Sequence, residues 1–336
     1  MNVQVEKLLQ DELKRYDDLL DHAITDQEGY LTDLEKNMYK KGKRLRPIML
    51  LLCANIGKRD KAMLDEKVIL SAVSLEMLHV ASLIHDDIID SAPMRRGYPS
   101  IKAARGANMA VLIGDLQFLQ AMRGLLKSVV VQEDIAIIEK ILKAGYEICI
   151  GEIDELNIDP AKAYTDLIEM ECSYMNVIDR KTAALFGISC EAGAALVGAK
   201  TAHLAALSRF GRSFGQAFQI MDDIDDFLKP SANSGKQQHI DLEQKKLSLP
   251  IINALKELKP NNALYNYLTN KVSGDEAKQQ AVKAVISSES FVKTYNKARE
   301  IMLDAILQLS IFPDSPYKSA LESIAFYVIN GKKQSS

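Results

Sequence analysis

Two clusters of aspartate carry the chemistry this sequence is best equipped for: Asp86-Asp87-Ile88-Ile89-Asp90 and Asp222-Asp223-Ile224-Asp225-Asp226. Residues three or four apart share one face of a helix, so Asp86 lines up with Asp90 and Asp222 with Asp226. Asp87 and Asp223 lie beside them. Carboxylates crowded in this way repel and resist desolvation, and cations relieve both penalties. Hard oxygen ligands with open coordination positions suit Mg²⁺, which binds through one or two carboxylates plus substrate phosphates. Two such clusters facing each other would hold a diphosphate between bridging metal ions. A lone DDxxD motif is as readily a solvated helix end. Two copies, each closing a long apolar helix, need a better explanation. Asp225 is not required by the spacing and is expected at the surface or behind the ligands.

Cations are grouped where such a substrate would need them. Gly42-Lys43-Arg44-Leu45-Arg46-Pro47 lies near the N-terminus, and Arg95-Arg96-Gly97 follows the first cluster. Lys181-Thr182, Lys236 and Lys246 come later. A short basic run alone is usually a solvated loop. Around two metal-binding clusters, Lys supplies neutralising charge and Arg supplies bidentate hydrogen bonds to a diphosphate. His79 precedes Asp86 by two helical turns and faces roughly the same way, within reach of a second diphosphate; a structural hydrogen-bonder is the plainer reading. Gln219 shares the face of Asp222 and Asp223, where its amide oxygen could stabilise a developing carbocation without quenching it. A satisfied buried amide is the alternative for Gln219.

Helices must position these groups. Apolar residues recur at three- and four-residue spacing almost throughout, with no clear alternating run. Prolines stand where helices begin or end: Pro47 opens one (Pro47 to Ile56), Pro93 and Pro99 bracket a turn, and Pro160 separates two long helices. Pro230 and Pro250 enclose a polar loop. Two helices, about Glu66 to Asp90 and about Thr201 to Phe227, are apolar nearly all round and belong inside a bundle, yet both end in aspartates. No short repeat or linker divides the chain, so one all-α domain over residues 1–336 is expected.

Composition narrows the classes. The 336 residues are 47% hydrophobic, enough for a large core, and 42 Lys and Arg against 45 Asp and Glu leave a net charge of -3. That balance gives no reason to expect nucleic-acid binding. Cys53, Cys149, Cys172 and Cys190 show no metal-binding spacing, and each is expected as a buried thiol in a reducing, cytoplasmic compartment. The charged N-terminus lacks the pattern of a signal peptide, and the apolar run Ile48 to Ile56 is too short for a transmembrane segment.

The motifs GKRLRP, LEMLHVASLIHDDIIDSAPMRRGYPS, GEIDEL, RKTAALF, GQAFQIMDDIDDF and the later Lys-Ser-Leu-Pro occur in that order. Together they resemble the trans-isoprenyl diphosphate synthases, and most of all the catalytic subunit of bacterial heptaprenyl and related polyprenyl diphosphate synthases. The resemblance runs from about Gly42 to Pro250 and more faintly beyond. It implies an isoprenoid-synthase-type bundle of mostly antiparallel helices around a central cavity. It also implies a Mg²⁺-dependent prenyltransferase that adds isopentenyl diphosphate to an allylic diphosphate. Lys43, Arg46, His79 and Arg96 would bind isopentenyl diphosphate. Asp86, Asp87, Asp90, Asp222, Asp223 and Asp226 would hold Mg²⁺, three ions with substrate bound, on the allylic diphosphate. Arg95, Lys181, Thr182, Gln219, Lys236 and Lys246 would contact that diphosphate or its allylic carbon. The loop SGKQQHIDLEQKKLSLP departs from the family, where a small residue or glycine usually follows the first Lys. The ending VINGKKQSS lacks the arginine often found there. A homodimer, or a heterodimer with a small regulatory subunit, is implied.

In this family the product grows along the first aspartate helix. The positions nearest Asp86 are Ala81 and Ser82, both small, and the next turn carries Met77 and Leu78. One helical turn rises about 5.4 Å, close to the length of one isoprene unit. A product longer than geranylgeranyl diphosphate is therefore expected, such as hexaprenyl or heptaprenyl diphosphate, its floor formed by Met77, by Phe118 or by a partner. A shorter-chain synthase is the alternative. A terpene cyclase would need only one diphosphate site, a regulatory subunit would be expected to lose an aspartate motif, and an anion-binding scaffold is disfavoured by the buried aspartates.

Overall fold

The three- and four-residue periodicity is realised as helix almost everywhere. The computed structural model describes residues 3–40, 42–58, 63–162, 166–228 and 239–331. The elements are α1 (Val3–Leu8), α2 (Gln10–Thr25), α3 (Asp33–Lys40), α4 (Leu45–Gly57), α5 (Glu66–Ile89), β1 (Met94–Arg95), β2 (Tyr98–Pro99), α6 (Ile101–Arg105), α7 (Ala107–Lys127), α8 (Gln132–Leu156), α9 (Leu167–Ile178), α10 (Ala184–Leu196) and α11 (Thr201–Leu228). Helices Ile240–Glu243, Leu249–Glu257, Ala263–Leu268, Asp275–Ile286, Ser290–Gln308 and Pro316–Asn330 follow. The fold is all-α; its one sheet among the described residues is the two-residue hairpin β1–β2.

The chain packs as two compact units. The first is Met1–Gly145, Leu185–Gly211 and Gln308–Ile324, and the second is Tyr146–Ala184, Arg212–Leu307 and Ala325–Ser336. In the first, α5 packs against α2, α4, α6 and α7. Its apolar residues face every direction and most are buried, as are Ile48 to Ala54 of α4. Each fully buried Leu or Ile contributes about 1.5–3 kcal/mol over exposure, which is why these two helices anchor the unit. Both α5 and α7 are long and apolar enough to cross a bilayer, but 72% of the most apolar stretch of α5 is covered by protein. In the second unit, Ile178, Ile220, Phe227, Leu242, Ile251, Ile252 and Leu264 form the core.

Local rules fix the ends that matter. The hairpin pairs Met94 with Pro99 and Arg95 with Tyr98, and its loop residues Arg96 (φ 53) and Gly97 (φ 83) are both left-handed. That is the backbone a two-residue type I′ hairpin turn requires. The Ser100 hydroxyl accepts from Ala103 N at 3.1 Å and starts α6. Asp166 starts α9 by accepting from the backbone N–H groups of Ile168 and Glu169. Between α9 and α10 the backbone takes one π-helical turn, Asp179–Ala183, which carries Lys181 and Thr182. The thiols divide, contrary to expectation: Cys53 and Cys190 are buried, whereas Cys149 and Cys172 lie on the outward faces of their helices.

Candidate active site

In the first unit, the last turn of α5 presents Asp86, Asp87 and Asp90. Asp87 is 2% exposed and the other two are half-buried. Arg95 on β1 donates its Nε to Asp87 Oδ1 at 2.8 Å, and its Nη2 donates to the same oxygen. Burial works against the Arg95 charge. The hydrogen bond and charge of Asp87, then the charges of Asp86 and Asp90, outweigh it and raise Arg95 above the ordinary arginine range. The hairpin thus delivers one arginine to the carboxylates. Its turn sends the next, Arg96, the other way, where Nη1 donates to the Met38 carbonyl.

Arg46, in the first turn of α4, lies with its guanidinium carbon 4.3 Å from the Phe186 ring centroid. Burial, and then the charges of Arg46, Arg96 and Arg95, hold the His79 pKa well below its ordinary value. His79 is therefore a neutral ring at pH 7, able to donate one hydrogen bond to an anion. The structure brings Arg46, His79, Arg95 and Arg96 into one electrostatic neighbourhood; Lys43 is exposed at the start of it.

Met77, Leu78 and Ala81 are buried on α5, and the Ser82 hydroxyl donates to the His79 carbonyl at 2.9 Å. Met77 lines a cavity with Leu19, Ala23, Leu70, Val73 and Gly124. Phe118 does not join it, being 40% exposed on the outer face of α7.

In the second unit, the final turns of α11 carry Gln219, Asp222, Asp223 and Asp226. A hydrogen-bonded chain orders them: the Thr182 hydroxyl donates to Gln219 Oε1 at 2.9 Å, and Gln219 Nε2 donates to Asp223 Oδ1 at 2.8 Å. The amide oxygen expected to face a carbocation is thereby engaged by Thr182. Burial, and then the neighbouring charge of Asp241, push the Asp223 carboxyl well above the usual carboxylate range; Asp222 adds to the push. Asp226 accepts from the backbone N–H groups of Ile240 and Asp241 at 3.2 and 3.3 Å. Lys236 lies outside the described residues.

Three groups were missed by sequence reasoning. Asp241, five residues before Lys246, is raised to about 7 by burial and then by Asp226, against the pull of Lys246. Glu152 and Glu155, the glutamates of GEIDEL, hold the lysines: Lys181 pairs with both, and Lys246 Nζ lies 3.3 Å from Glu155 Oε2. Their spacing of three on α8 was the available signal. The glycine of that motif has a packing reason, since a methyl at Gly151 would stand 2.8 Å from Lys181 N. Tyr174 is the third, and its signal was weaker: one tyrosine on a largely apolar helix.

This donor set fits Mg²⁺. Its ligand atoms are carboxylate oxygens, and the crowding of Asp222, Asp223, Asp226 and Asp241 is the condition a divalent cation relieves. Among the described residues, no three His, Cys, Asp or Glu side chains form a ready-made metal cage. Mg²⁺ does not need one, because it keeps waters and substrate phosphates in its shell.

Comparison with known proteins points the same way. Residues 28–286 match the family described as polyprenyl synthetase. Heptaprenyl diphosphate synthase component 2 of Bacillus subtilis is 34% identical over 301 residues, covering 87% of this chain and 79% of the relative. Octaprenyl diphosphate synthase of Haemophilus influenzae is 32% identical, covering 86% of this chain and 84% of the relative. A polyprenyl synthase from Caulobacter crescentus, crystallised with calcium and isoprenyl diphosphate, superimposes with a TM-score of 0.88 at 25% identity, over 97% of this chain and 96% of the other. With the motifs in order, the helical fold matched almost end to end and relatives this similar, the chain belongs to the polyprenyl synthetase family.

Proposed function

We propose that this chain condenses isopentenyl diphosphate with an allylic diphosphate, farnesyl or geranylgeranyl diphosphate, and repeats the step to a long polyprenyl diphosphate. The observation that carries this reading is that two apolar helices end in carboxylates, with Arg95 bonded to Asp87 in the first unit, and in the second Lys246 acting on the Asp241 that crowds Asp223 and Asp226. Arg46, His79 and Arg96 form a further group around which a second diphosphate would be held. The names of the heptaprenyl, octaprenyl and nonaprenyl relatives support a long product, as do the small residues Ala81 and Ser82.

Each residue then has a task. Lys43, Arg46, His79 and Arg96 bind isopentenyl diphosphate. Asp86, Asp87, Asp90, Asp222, Asp223 and Asp226 bind Mg²⁺, three ions with substrate present. Bound Mg²⁺ supplies the positive charge that offsets charge growing on the leaving diphosphate. Arg95, Lys181, Lys236 and Lys246 add to that offset, so the allylic C–O bond breaks. Thr182 and Gln219 order the carboxylates beside the cleaved bond. The double bond of isopentenyl diphosphate attacks the cation, and a proton leaves to the released diphosphate. Product length is set by Met77, Leu78, Ala81 and Ser82. Phe118 acts at the surface of α7 instead of in the cavity.

A partner belongs to the reading. Leu112, Leu119 and Leu126 recur every seven residues along α7 and are 62%, 59% and 64% exposed, with Val111 and Phe118 beside them. An apolar seam of this kind is one a second helix covers. Two relatives are named component 2 of a heptaprenyl diphosphate synthase, which supports a second copy or a small regulatory subunit on that seam. The four free thiols fit the cytoplasm. The single family match over residues 28–286 supports one catalytic domain.

The test is incubation of the purified chain with Mg²⁺, labelled isopentenyl diphosphate and farnesyl diphosphate, with chromatography of the dephosphorylated products. A ladder ending in one long prenol is expected. No extension, with or without a co-encoded partner, overturns the reading.

A further inference from the structure

The first unit buries an acidic side chain that the reaction above does not use. Glu76 lies on α5, three residues before His79 and on its face, and is 2% exposed. Its surroundings are cationic. Burial lifts its pKa, and the charges of Arg46, Arg96 and Arg44, in that order, oppose the lift. The dependence is mutual. Burial lowers Arg46 to about 10, Glu76 supports its charge and Arg96 works against it.

Glu76 and Arg96 converge on one point of the backbone, at Gly42. A methyl on Gly42 would stand 2.8 Å from Arg96 Nη1 and 3.3 Å from Glu76 Oε1, so carboxylate and guanidinium crowd the same point of backbone. Arg96 is tied to the Met38 carbonyl, and Arg46 rests on the Phe186 ring. The Arg46 Nε is buried with no hydrogen-bond partner. Arg44 has its own partner, Asp17 at 2.6 Å, but Arg46 and Arg96 in the desolvated corner repel one another, and without a countercharge they would splay toward water. One carboxylate beneath them lowers that repulsion while leaving a net positive charge for an incoming anion.

We propose that Glu76 is a positioning residue: its buried carboxylate holds the Arg46 and Arg96 guanidiniums in the arrangement that receives the diphosphate of the isopentenyl substrate. This rests on the reading that those arginines bind that diphosphate. Glu76 does not itself touch the substrate, since like charges would repel.

Steady-state kinetics of the wild type, Glu76→Gln, Glu76→Asp and Gly42→Ala, each substrate varied in turn, test it. Glu76→Gln is expected to raise KM for isopentenyl diphosphate about tenfold or more, with KM for the allylic substrate within about twofold. Glu76→Asp recovers part of the loss. Gly42→Ala displaces the same pair from the opposite side with Glu76 intact, and carries the test should Glu76→Gln fail to fold. It is expected to show the same selective rise. A merely structural role would move both substrates together, and that outcome overturns the inference, as does an unchanged KM. A wild type that consumes no isopentenyl diphosphate, alone or with its partner, overturns the functional reading and this inference with it.

Discussion

The Tyr174 hydroxyl donates to Asp223 Oδ2 at 2.6 Å, while Gln219 occupies the other oxygen. Neutral donors thus grip both sides of a carboxylate that burial, and then the charge of Asp241, make hard to ionise. Tyr174→Phe leaves one oxygen short of a donor, at a cost of about 1–3 kcal/mol. The expected result is a fall in kcat/KM for the allylic diphosphate of about tenfold or more. Kinetics at saturating isopentenyl diphosphate, beside a far-ultraviolet circular dichroism spectrum, check it. Unchanged kinetics would mean that Asp223 needs no support.

Glu155 gathers two lysines from distant parts of the sequence. Burial opposes its charge, but Lys181 and then Lys246 hold the carboxyl below its ordinary pKa. Glu155→Gln keeps the shape and removes the charge that fixes both ammonium groups. We expect KM for the allylic diphosphate to rise about fivefold while KM for isopentenyl diphosphate stays level. An equal rise in both would show general loosening instead.

Asp134 makes an acid-sensitive contribution to stability. It is buried, and Lys67 Nζ lies 2.8 Å from Oδ1 while the N–H groups of Val130 and Val131 donate to Oδ2 at 2.9 and 3.0 Å. Burial opposes the charge, yet these partners hold the carboxyl below its ordinary value of 3.8. A carboxyl more acidic when folded stabilises the protein fully above its unfolded pKa, and loses that contribution as pH falls through the folded pKa. Asp134→Asn should therefore cost about 1–3 kcal/mol at pH 7. Its gap to wild type should begin to close below about pH 4. Urea denaturation at pH 7, 5 and 3.5 measures both; a gap independent of pH contradicts the assignment.

Ala81 is 2% exposed, five residues before Asp86 on the helix that the growing chain would follow. Phenylalanine there puts a ring where the alanine leaves space for the product. The product of Ala81→Phe is expected to be shorter by about two isoprene units or more, counting one unit per helical turn. Chromatography of the dephosphorylated prenols reads this directly, and an unchanged length removes Ala81 from the wall.

Much of this was legible in sequence because burial and chemistry conflicted openly. The helix expected from about Glu66 to Asp90 runs Glu66–Ile89, and the one expected to end at Phe227 ends at Leu228. Long apolar runs closed by aspartates leave little freedom in where they stop. Pro47 was read as opening its helix, whereas α4 starts at Leu45 with the proline inside its first turn, where a missing N–H costs nothing. The π turn at Asp179–Ala183 had no local signature; it lies against Gly151 on another helix, a neighbour the local sequence does not name. Glu155 and Asp241 escaped for a related reason. An acid on an amphipathic helix or in a polar loop looks solvated until the lysine it faces is known. Cys149 and Cys172 misled in reverse, since an apolar stretch does not say which of its faces is outside.

Arg96 has two demands placed on it that no other residue type meets together. Its guanidinium would serve the proposed diphosphate site, and its backbone, at φ 53 beside Gly97, completes the hairpin turn. Asparagine or glycine would suit the turn and forfeit the charge, whereas lysine would keep the charge and lose the planar fork in a conformation that costs any residue with a Cβ about 1–2 kcal/mol. A saturation library at this position should therefore collapse to arginine alone under selection for activity. At the neighbouring exposed Met94 the same selection should accept many side chains.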